Sequence, residues 1–443
     1  MKPPAKHELK KVLGVAFGIA VLVGGTIGVG ILRNPGSIAQ LLGNYWLIIG
    51  CWIFGGIYVL MGVGTYAELA TMLPKAGGAY NYVKRAFGNY FGFLTGWFDY
   101  ILNGIAPAYF CIVIGEYIVL LFPSLKGYET IMACSFLAAF TLLHMSGVKN
   151  GSITQQVTSV IKVIFFAGLI ISCFVFNGHP QNNIQDEVLA KSVIKGGVFI
   201  AILKAIQLIV GTYDGWMAVS FFAEEDKDPG KNIPKSLYTG AIIVILIYVL
   251  INMAFLHVLP VSAIANAPLA ASDVAKVVFG NTGAVFVTVI AIFSLLSILN
   301  AYMMIPARIL FGLSRDGFFI SKAAIINKGG TPIFALLISS LLNMVLIIVG
   351  SFEGLFSLAV FMAVIVLGLA FASLIKLRLK EPDLPRPYKA WGYPWTTIIT
   401  ILVSVGLFIG FAFSDFKNFV IIITITLISY PAFVLLNRKN KKQ

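Results

Sequence analysis

The chain is a succession of long, continuous apolar runs separated by short polar stretches. A membrane-spanning helix needs roughly 20 mostly apolar residues, and most of the runs approach or exceed that length. Because the runs are continuous and do not alternate with polar residues, they predict helices and exclude a membrane β-barrel. The twelve runs are Val12–Leu42, Trp46–Ala70, Phe91–Leu121, Ile131–Met145, Val157–Phe176, Val198–Phe222, Thr239–Leu259, Ala284–Pro306, Ile333–Val349, Leu355–Leu377, Thr396–Phe413 and Phe419–Leu436.

Composition agrees with this pattern. Of the 443 residues, 59% are hydrophobic and only 11% are charged, whereas a soluble domain carries about 25% charged residues. The polar connections are too short for an independent soluble core. The fold class is therefore an all-α polytopic membrane protein of about 12 transmembrane helices. The four cysteines lie inside apolar runs and the four histidines are scattered, so we expect no metal and no cofactor.

The positive charges predict the orientation. If the N-terminus is cytoplasmic, only five of the 32 Lys and Arg residues fall in outside loops, namely Lys126, Lys191, Lys195, Lys276 and Lys417. Positively charged residues concentrate in cytoplasmic loops, so both termini are expected there, in the plasma membrane. The same bias explains the net charge of +14 without a nucleic-acid partner.

Two runs carry helix-breaking residues near their centres. The first has four glycines within seven residues (Gly24, Gly25, Gly28 and Gly30), and the sixth has Gly211 and Gly215 on either side of Asp214. Glycine is costly in a helix, and unwound backbone in a membrane must face a cavity or protein. Interruptions at matching places in two halves predict inverted repeats with a binding site near the midplane.

The predicted organisation is one membrane domain with five-plus-five helices. The first repeat spans residues 12–176 and the second spans 198–377, followed by two additional helices in 396–436. Since five is an odd number, the second repeat enters the membrane from the opposite side.

Backbone electrostatics indicate the ligand. The N-terminus of a half-helix attracts an anionic group, and unwound carbonyls hold a cation or an ammonium. A zwitterion with both groups on one carbon uses both features. Competing interpretations are a close-packing glycine surface, a dinucleotide loop and a potassium filter. No strand precedes the glycines, and no metalloprotease or serine-hydrolase motif is present, so an intramembrane enzyme is not expected.

Three stretches of the sequence carry a family resemblance. They are GGTIGVGIL at 24–32, ELATMLPKAGGAY at 68–80, and YDGW at 213–216 followed by EEDKDP at 224–229 and NIPKSL at 232–237. With them the chain resembles the amino acid–polyamine–organocation transporter superfamily, nearest to its L-type amino acid transporter branch and bacterial relatives.

The resemblance implies a substrate site. The substrate carboxylate would meet backbone N–H groups, and the ammonium would meet backbone carbonyls. Specificity for the side chain would come partly from two positions of the sixth span. The predicted binding residues are Gly25, Thr26, Gly28, Val29, Gly30, Gly211, Tyr213, Asp214 and Met217.

Two positions depart from the family pattern. Val29 stands where the family often has serine, which removes a hydroxyl contact and keeps the N–H. Gly211 stands where relatives often have a bulky aromatic residue, which indicates a roomier pocket or a gate supplied elsewhere.

Ionisable residues inside a membrane are costly and mark function by default. Lys162 lies in the fifth span; the resemblance implies that it replaces a sodium ion and braces span one, and a snorkelling lysine is the alternative. Asp214 either binds substrate or caps a helix. Arg33 and Lys204 either face a vestibule together, or one of them pairs with Glu116.

The function expected is amino acid transport by alternating access, independent of sodium, by exchange or proton symport. Alternatives are a polyamine or other organic amine or carboxylate transporter, a channel, and a non-transporting sensor. The partners are the amino acid, the lipid bilayer and, for symport, protons. The loop Phe122–Tyr128 has no cysteine, so no disulfide-linked heavy subunit is expected.

Overall fold

A computed structural model describes residues 11–440 apart from 12, 177–196 and 268. All regular elements in this part of the chain are helical. The α-helices are α1 (Val15–Thr26), α2 (Val29–Leu42), α3 (Tyr45–Met72), α4 (Ala79–Phe87), α5 (Asn89–Leu121), α6 (Glu129–Met145), α7 (Val148–Val175), α8 (Gly197–Tyr213), α9 (Pro229–Val258), α10 (Val261–Ala265), α11 (Ala270–Arg315), α12 (Ile333–Val349), α13 (Phe352–Lys380), α14 (Trp395–Ser414) and α15 (Phe416–Asn440). A 3₁₀ segment, Trp216–Glu225, follows α8.

The prediction of a polytopic helical membrane protein is confirmed. In the described chain, ten helical segments are long and apolar enough to cross a membrane, and α6 and α12 are shorter apolar helices. Together they correspond in order to the twelve predicted runs. The first run contains both α1 and α2, and the sixth contains α8 and most of the 3₁₀ segment.

Several helices extend beyond their apolar runs. Helix α11 is 46 residues long, with a kink at Gly280, where φ is 75°. Its ends are less apolar than its centre, so hydropathy alone located only the middle. The short helix α4 was not predicted, because it is amphipathic and lies between two spans. Gly78 and Gly88 flank it, both with positive φ (72° and 98°), a conformation that glycine adopts readily.

The packing of the spans repeats between the two halves. Helix α3 packs on α9 and α5 packs on α11, which are equivalent helices of a five-plus-five arrangement. The contact of α1 with α9 has its counterpart in α8 with α3, and that of α5 with α13 in α11 with α7. The pairing is the one expected of two related halves. The exact bounds of the repeats remain a prediction.

Ion pairs join the helices at the end of the bundle that carries Leu13, which we call the terminal side. Leu13 itself pairs with Asp226 through the backbone. Glu225 lies 2.5 Å from Arg308, and the two side chains are 2% and 4% exposed. The neighbouring pair Glu224–Arg315 is 2.7 Å long and partly exposed. These contacts hold the 3₁₀ segment against α11 and close the terminal side.

A second group of ion pairs connects α3 and α4 to α13. Glu68 is fully buried and accepts from Arg378 at 2.6 Å, and its carboxylate also lies 3.3 Å from Arg386. Hydrogen bonds from Arg85 lower the pKa of the Glu381 carboxyl below its ordinary value. A lowered pKa means that this pair is present at neutral pH and is lost only as the pH falls through that value.

Breaking the buried pair should destabilise the protein far more than breaking its exposed neighbour. Arg308→Met leaves Glu225 as an uncompensated buried charge, which costs about 3–5 kcal/mol. Arg315→Met removes a partly exposed pair with glutamate, worth about 1 kcal/mol or less. Thermal unfolding of the purified protein in detergent measures both. Equal shifts of the unfolding midpoint would show that the Glu225–Arg308 pair is not a principal contact of the terminal side.

Candidate functional site

The first helix break separates α1 from α2. Helix α1 ends at Thr26, and Ile27 is extended, with φ −74° and ψ 100°. Helix α2 begins at Val29 after Gly28, and no side chain caps its N-terminus. The first N–H groups of α2 and the last carbonyls of α1 therefore meet near the middle of the bundle. Helix N-termini carry partial positive charge and C-termini partial negative charge, so both signs are present within a few residues.

The second break follows α8 and touches the first. Helix α8 ends at Tyr213, and Gly215 has φ 101° before the 3₁₀ segment begins. A Cβ atom on residue 215 would lie 2.7 Å from the carbonyl oxygen of Gly25. Only glycine combines this conformation with so close an approach. The two interrupted spans are thus in backbone contact, as the sequence pattern predicts.

A tyrosine that sequence reasoning missed bridges the two breaks. The Tyr248 hydroxyl lies 2.7 Å from the carbonyl oxygen of Thr26 and 3.1 Å from that of Thr212, and donates to both. Tyr248 lies on α9 and is fully buried. A tyrosine within an apolar helix gives no local signal of such a role. Because Thr26 already accepts this hydrogen bond, only its second lone pair is open to a substrate ammonium.

Lys162 lies at the end of α1. It is 3% exposed, and its Nζ donates to the carbonyl oxygen of Gly24 at 3.0 Å and to that of Ile27. The snorkelling alternative does not hold, because the ammonium is directed at the helix break and not at a membrane surface. A cation at a helix C-terminus is favourably placed with respect to the helix dipole.

Most glycines of the first break are sites of close packing. A Cβ atom on Gly24 would lie 1.9 Å from Gln155 Nε2, and one on Gly28 would lie 2.5 Å from Ile298 Cδ1. At Gly30 the added atom would lie 2.7 Å from Thr212 Oγ1. Gly25 differs, since a Cβ there would meet only ordinary contacts at 3.8 Å or more. The close-packing interpretation is therefore correct for three of these glycines.

The space beside Gly25 has a small apolar lining with one tyrosine. Its nearest neighbours are Ala218 of the 3₁₀ segment and Ala301 and Tyr302 of α11. Of the five, Gly25 is the one on the broken span. These residues mark the interior volume on which the two breaks converge.

The other predicted binding residues are all close to the breaks. Asp214 has an Oδ1 atom without a hydrogen-bond partner in the described part of the chain, and so has the Thr26 hydroxyl. Met217 is 2% exposed. The Tyr213 hydroxyl instead donates to the carbonyl oxygen of Trp52 at 3.1 Å, so its side chain points to α3. Only the backbone is described for Val29, which begins α2.

An aromatic side chain from α13 fills the space beside Gly211. A Cβ atom on Gly211 would lie 2.3 Å from Val360 Cγ2 and 2.7 Å from Phe356 Cζ. Phe356 is stacked on Phe352, with ring centroids 5.2 Å apart. The pocket is therefore not roomier at Gly211, and an aromatic residue is supplied from a different helix.

An arginine closes the side of the bundle opposite the termini. Arg33 of α2 lies 2.7 Å from Glu116 of α5 and 2.5 Å from Glu353 of α13. Its guanidinium also covers the ring of Phe352 at 4.5 Å. The predicted alternative of pairing with Glu116 is confirmed. Lys204 lies apart, in a groove between α8 and α14, so the two cations do not share a vestibule.

These features define a class of protein. A bundle of membrane-spanning helices encloses two touching helix breaks, and its ends are closed by separate sets of ion pairs. No group of three or more metal-ligating side chains occurs among the described residues. The molecule is a membrane transporter of the broken-helix type and not an enzyme.

Comparison with known proteins identifies the family. Residues 11–430 match the model of the amino acid permease family, so the chain belongs to that family, within the superfamily that the motifs indicate. It is 28% identical over 410 residues to the serine/threonine exchanger SteT of Bacillus subtilis, covering 90% of each chain. It is 29% identical to mouse large neutral amino acids transporter small subunit 2 (86% of this chain, 73% of the relative). Against mouse b(0,+)-type amino acid transporter 1 the identity is 27% (91% and 83%).

Removal of the bridging hydroxyl should impair transport. Tyr248→Phe leaves two carbonyls at the breaks without their donor, and one buried hydrogen bond of about 1.4 kcal/mol corresponds to a tenfold effect. The matched control is Tyr58→Phe, because that buried hydroxyl bonds Ser404 at 2.8 Å, away from the breaks. Counterflow in proteoliposomes measures both variants. Equal rates for the two would mean that the bridge has no part in transport.

A paired substitution tests whether Phe356 takes the place of an aromatic residue at 211. Gly211→Phe alone should abolish transport, because its side chain overlaps Phe356 and Val360. Combining it with Phe356→Ala should restore at least part of the rate, since neighbouring substitutions couple when they share one space. Counterflow and thermal stability are measured together for the three variants. Purely additive losses would contradict the exchange of one ring for the other.

Proposed function

We propose that the protein transports amino acids across the plasma membrane by alternating access, without sodium. The observation that carries this is the contact between the two breaks. There the uncapped N-terminus of α2 and the C-terminal carbonyls of α1 and α8 lie within one buried volume. An α-carboxylate would bind N–H groups near Gly25, Val29 and Gly30, and the α-ammonium would bind carbonyls of Gly211, Asp214 and Thr26.

Independence from sodium is supported by the position of Lys162. Its ammonium binds the carbonyl oxygens of Gly24 and Ile27, which are ligands of the kind that a sodium ion would use. A covalently attached cation in this position leaves neither space nor negative charge for a second one. Coupling then rests on exchange of substrates or on protons.

Alternating access is supported by the closure of both ends. The Glu225–Arg308 pair closes the terminal side, and Arg33 with its two glutamates closes the other. Each set has to separate in turn while the other stays closed, so that the site meets only one side at a time.

Orientation and substrate follow from charge and from the relatives. Arg85, Arg308, Arg315 and Arg378 all lie on the terminal side, which favours cytoplasmic termini. Since the named relatives include a serine/threonine exchanger and a transporter of large neutral amino acids, neutral amino acids are the first substrates to test. We propose that the chain acts without a disulfide-linked heavy subunit.

Transport in proteoliposomes tests this function. Liposomes preloaded with unlabelled amino acids should take up the same labelled amino acids, at equal rates in sodium and in choline buffers. Lys162→Ala leaves buried carbonyls unpaired at about 1–3 kcal/mol each, so turnover should fall roughly tenfold or more. Lys204→Ala, which removes a lysine outside the breaks, should keep the normal rate.

Two results would contradict the proposal. Absence of counterflow for all twenty amino acids would remove amino acid transport itself. Uptake that requires sodium, or full activity of Lys162→Ala, would remove the role given to the lysine.

A further inference from the structure

A second buried carboxyl group lies near the substrate site. Asp99 is on α5 and is 1% exposed. Its Oδ1 accepts from Asn103 Nδ2 at 2.9 Å, while Oδ2 has no hydrogen-bond partner in the part of the chain that the structure describes. Burial of a carboxylate with one oxygen unpaired is expensive unless the group is neutral or a further ligand is bound.

Asp99 and Asp214 are close enough to interact. The two carboxyl groups influence each other electrostatically, and Tyr66 interacts with both. The other titratable groups that face Asp99 are Tyr82 of α4 and Tyr302 of α11. None of these groups is a cation. Two like charges in a low-dielectric interior cannot both persist without a compensating positive charge, so the pair as a unit requires one.

Hydroxyl groups without partners surround the two carboxyls. Within the described chain the hydroxyls of Thr26, Tyr66 and Thr95 are buried and have no hydrogen bond. Those of Tyr82 and Ser220 face each other without a well-formed bond. Buried polar atoms in native proteins are nearly always satisfied, and internal water is the usual partner. This set therefore indicates a hydrated polar region next to the helix breaks.

We propose that Asp99 and Asp214 together hold one transferable proton, which makes the protein a proton-coupled amino acid transporter. The inference rests on the proposed function and selects proton symport over pure exchange. In each cycle the pair takes up one proton from the side to which the site is open. It releases that proton on the other side, so Asp99 and Asp214 return to their starting state. A zwitterionic substrate has no net charge, so each cycle moves one positive charge.

Asp99 has a purely structural alternative. The backbone N–H of Ala79, the first residue of α4, also faces its carboxyl group, so the residue serves as a helix cap in that interpretation. Asparagine caps helices as well as aspartate does. Asp99→Asn therefore preserves the cap and removes only the exchangeable proton, which separates the two roles.

The experiment uses the whole protein in liposomes that contain a pH-sensitive dye. Addition of the twenty common amino acids to wild-type vesicles should acidify the lumen, faster with a negative interior potential. In Asp99→Asn this acidification should fall by about tenfold or more, the size of a typical coupling between sites. Counterflow of labelled amino acids should persist, and Asp99→Glu should recover acidification. Asp383→Asn, at an exposed loop residue, is the matched control.

The outcomes are distinct. Wild-type counterflow without acidification, or an Asp99→Asn variant that still acidifies the lumen, overturns the proton site and leaves the transport function intact. Loss of both activities in Asp99→Asn, with thermal stability reduced as well, assigns Asp99 to structure and also overturns it. Absence of counterflow in the wild type refutes the proposed function itself.

Discussion

Satisfying backbone groups at two helix breaks inside a membrane is the constraint on which this structure depends. Water is absent there, so each exposed carbonyl and N–H needs a partner from the protein or from a ligand. Lys162 supplies donors to the end of α1, and Tyr248 supplies one that the ends of α1 and α8 share. The N-terminus of α2 receives no side-chain cap. What the protein leaves open is therefore an anion site, and a carboxylate fits it.

The two ends of the bundle are closed by different means. On the terminal side a buried ion pair, Glu225–Arg308, is surrounded by partly exposed pairs. On the opposite side Arg33 faces two glutamates that are 42% and 68% exposed. Exposed pairs contribute little because water competes for them, whereas separating a buried pair is expensive. The side opposite the termini is accordingly the easier one to open from this conformation.

Charge inside the bundle is distributed so that each group has a separate task. Lys162 is fully occupied by the carbonyls of the first break and is not paired with a carboxylate in the described chain. The carboxyls of Asp99 and Asp214 are consequently left without a protein cation, beside hydroxyls that lack partners. A proton compensates such a pair at the lowest cost in space. The same arrangement explains why the substrate ammonium meets carbonyl groups that already have partly satisfied lone pairs.

Hydropathy and glycine spacing determined much of this protein from the sequence. Twelve spans, breaks at Gly28 and Gly215 and the pairing of Arg33 with Glu116 all follow from local composition or from elementary electrostatics. Tyr248, Phe356 and Asp99 did not follow, because the role of each depends on which distant helix it faces. A tyrosine, a phenylalanine or a single aspartate has the same local sequence signal whether it faces lipid, core or a break. Only the packing of α9, α13 and α5 against the broken spans decided that these three side chains meet the site, since contacts between distant helices leave no periodic trace along the chain.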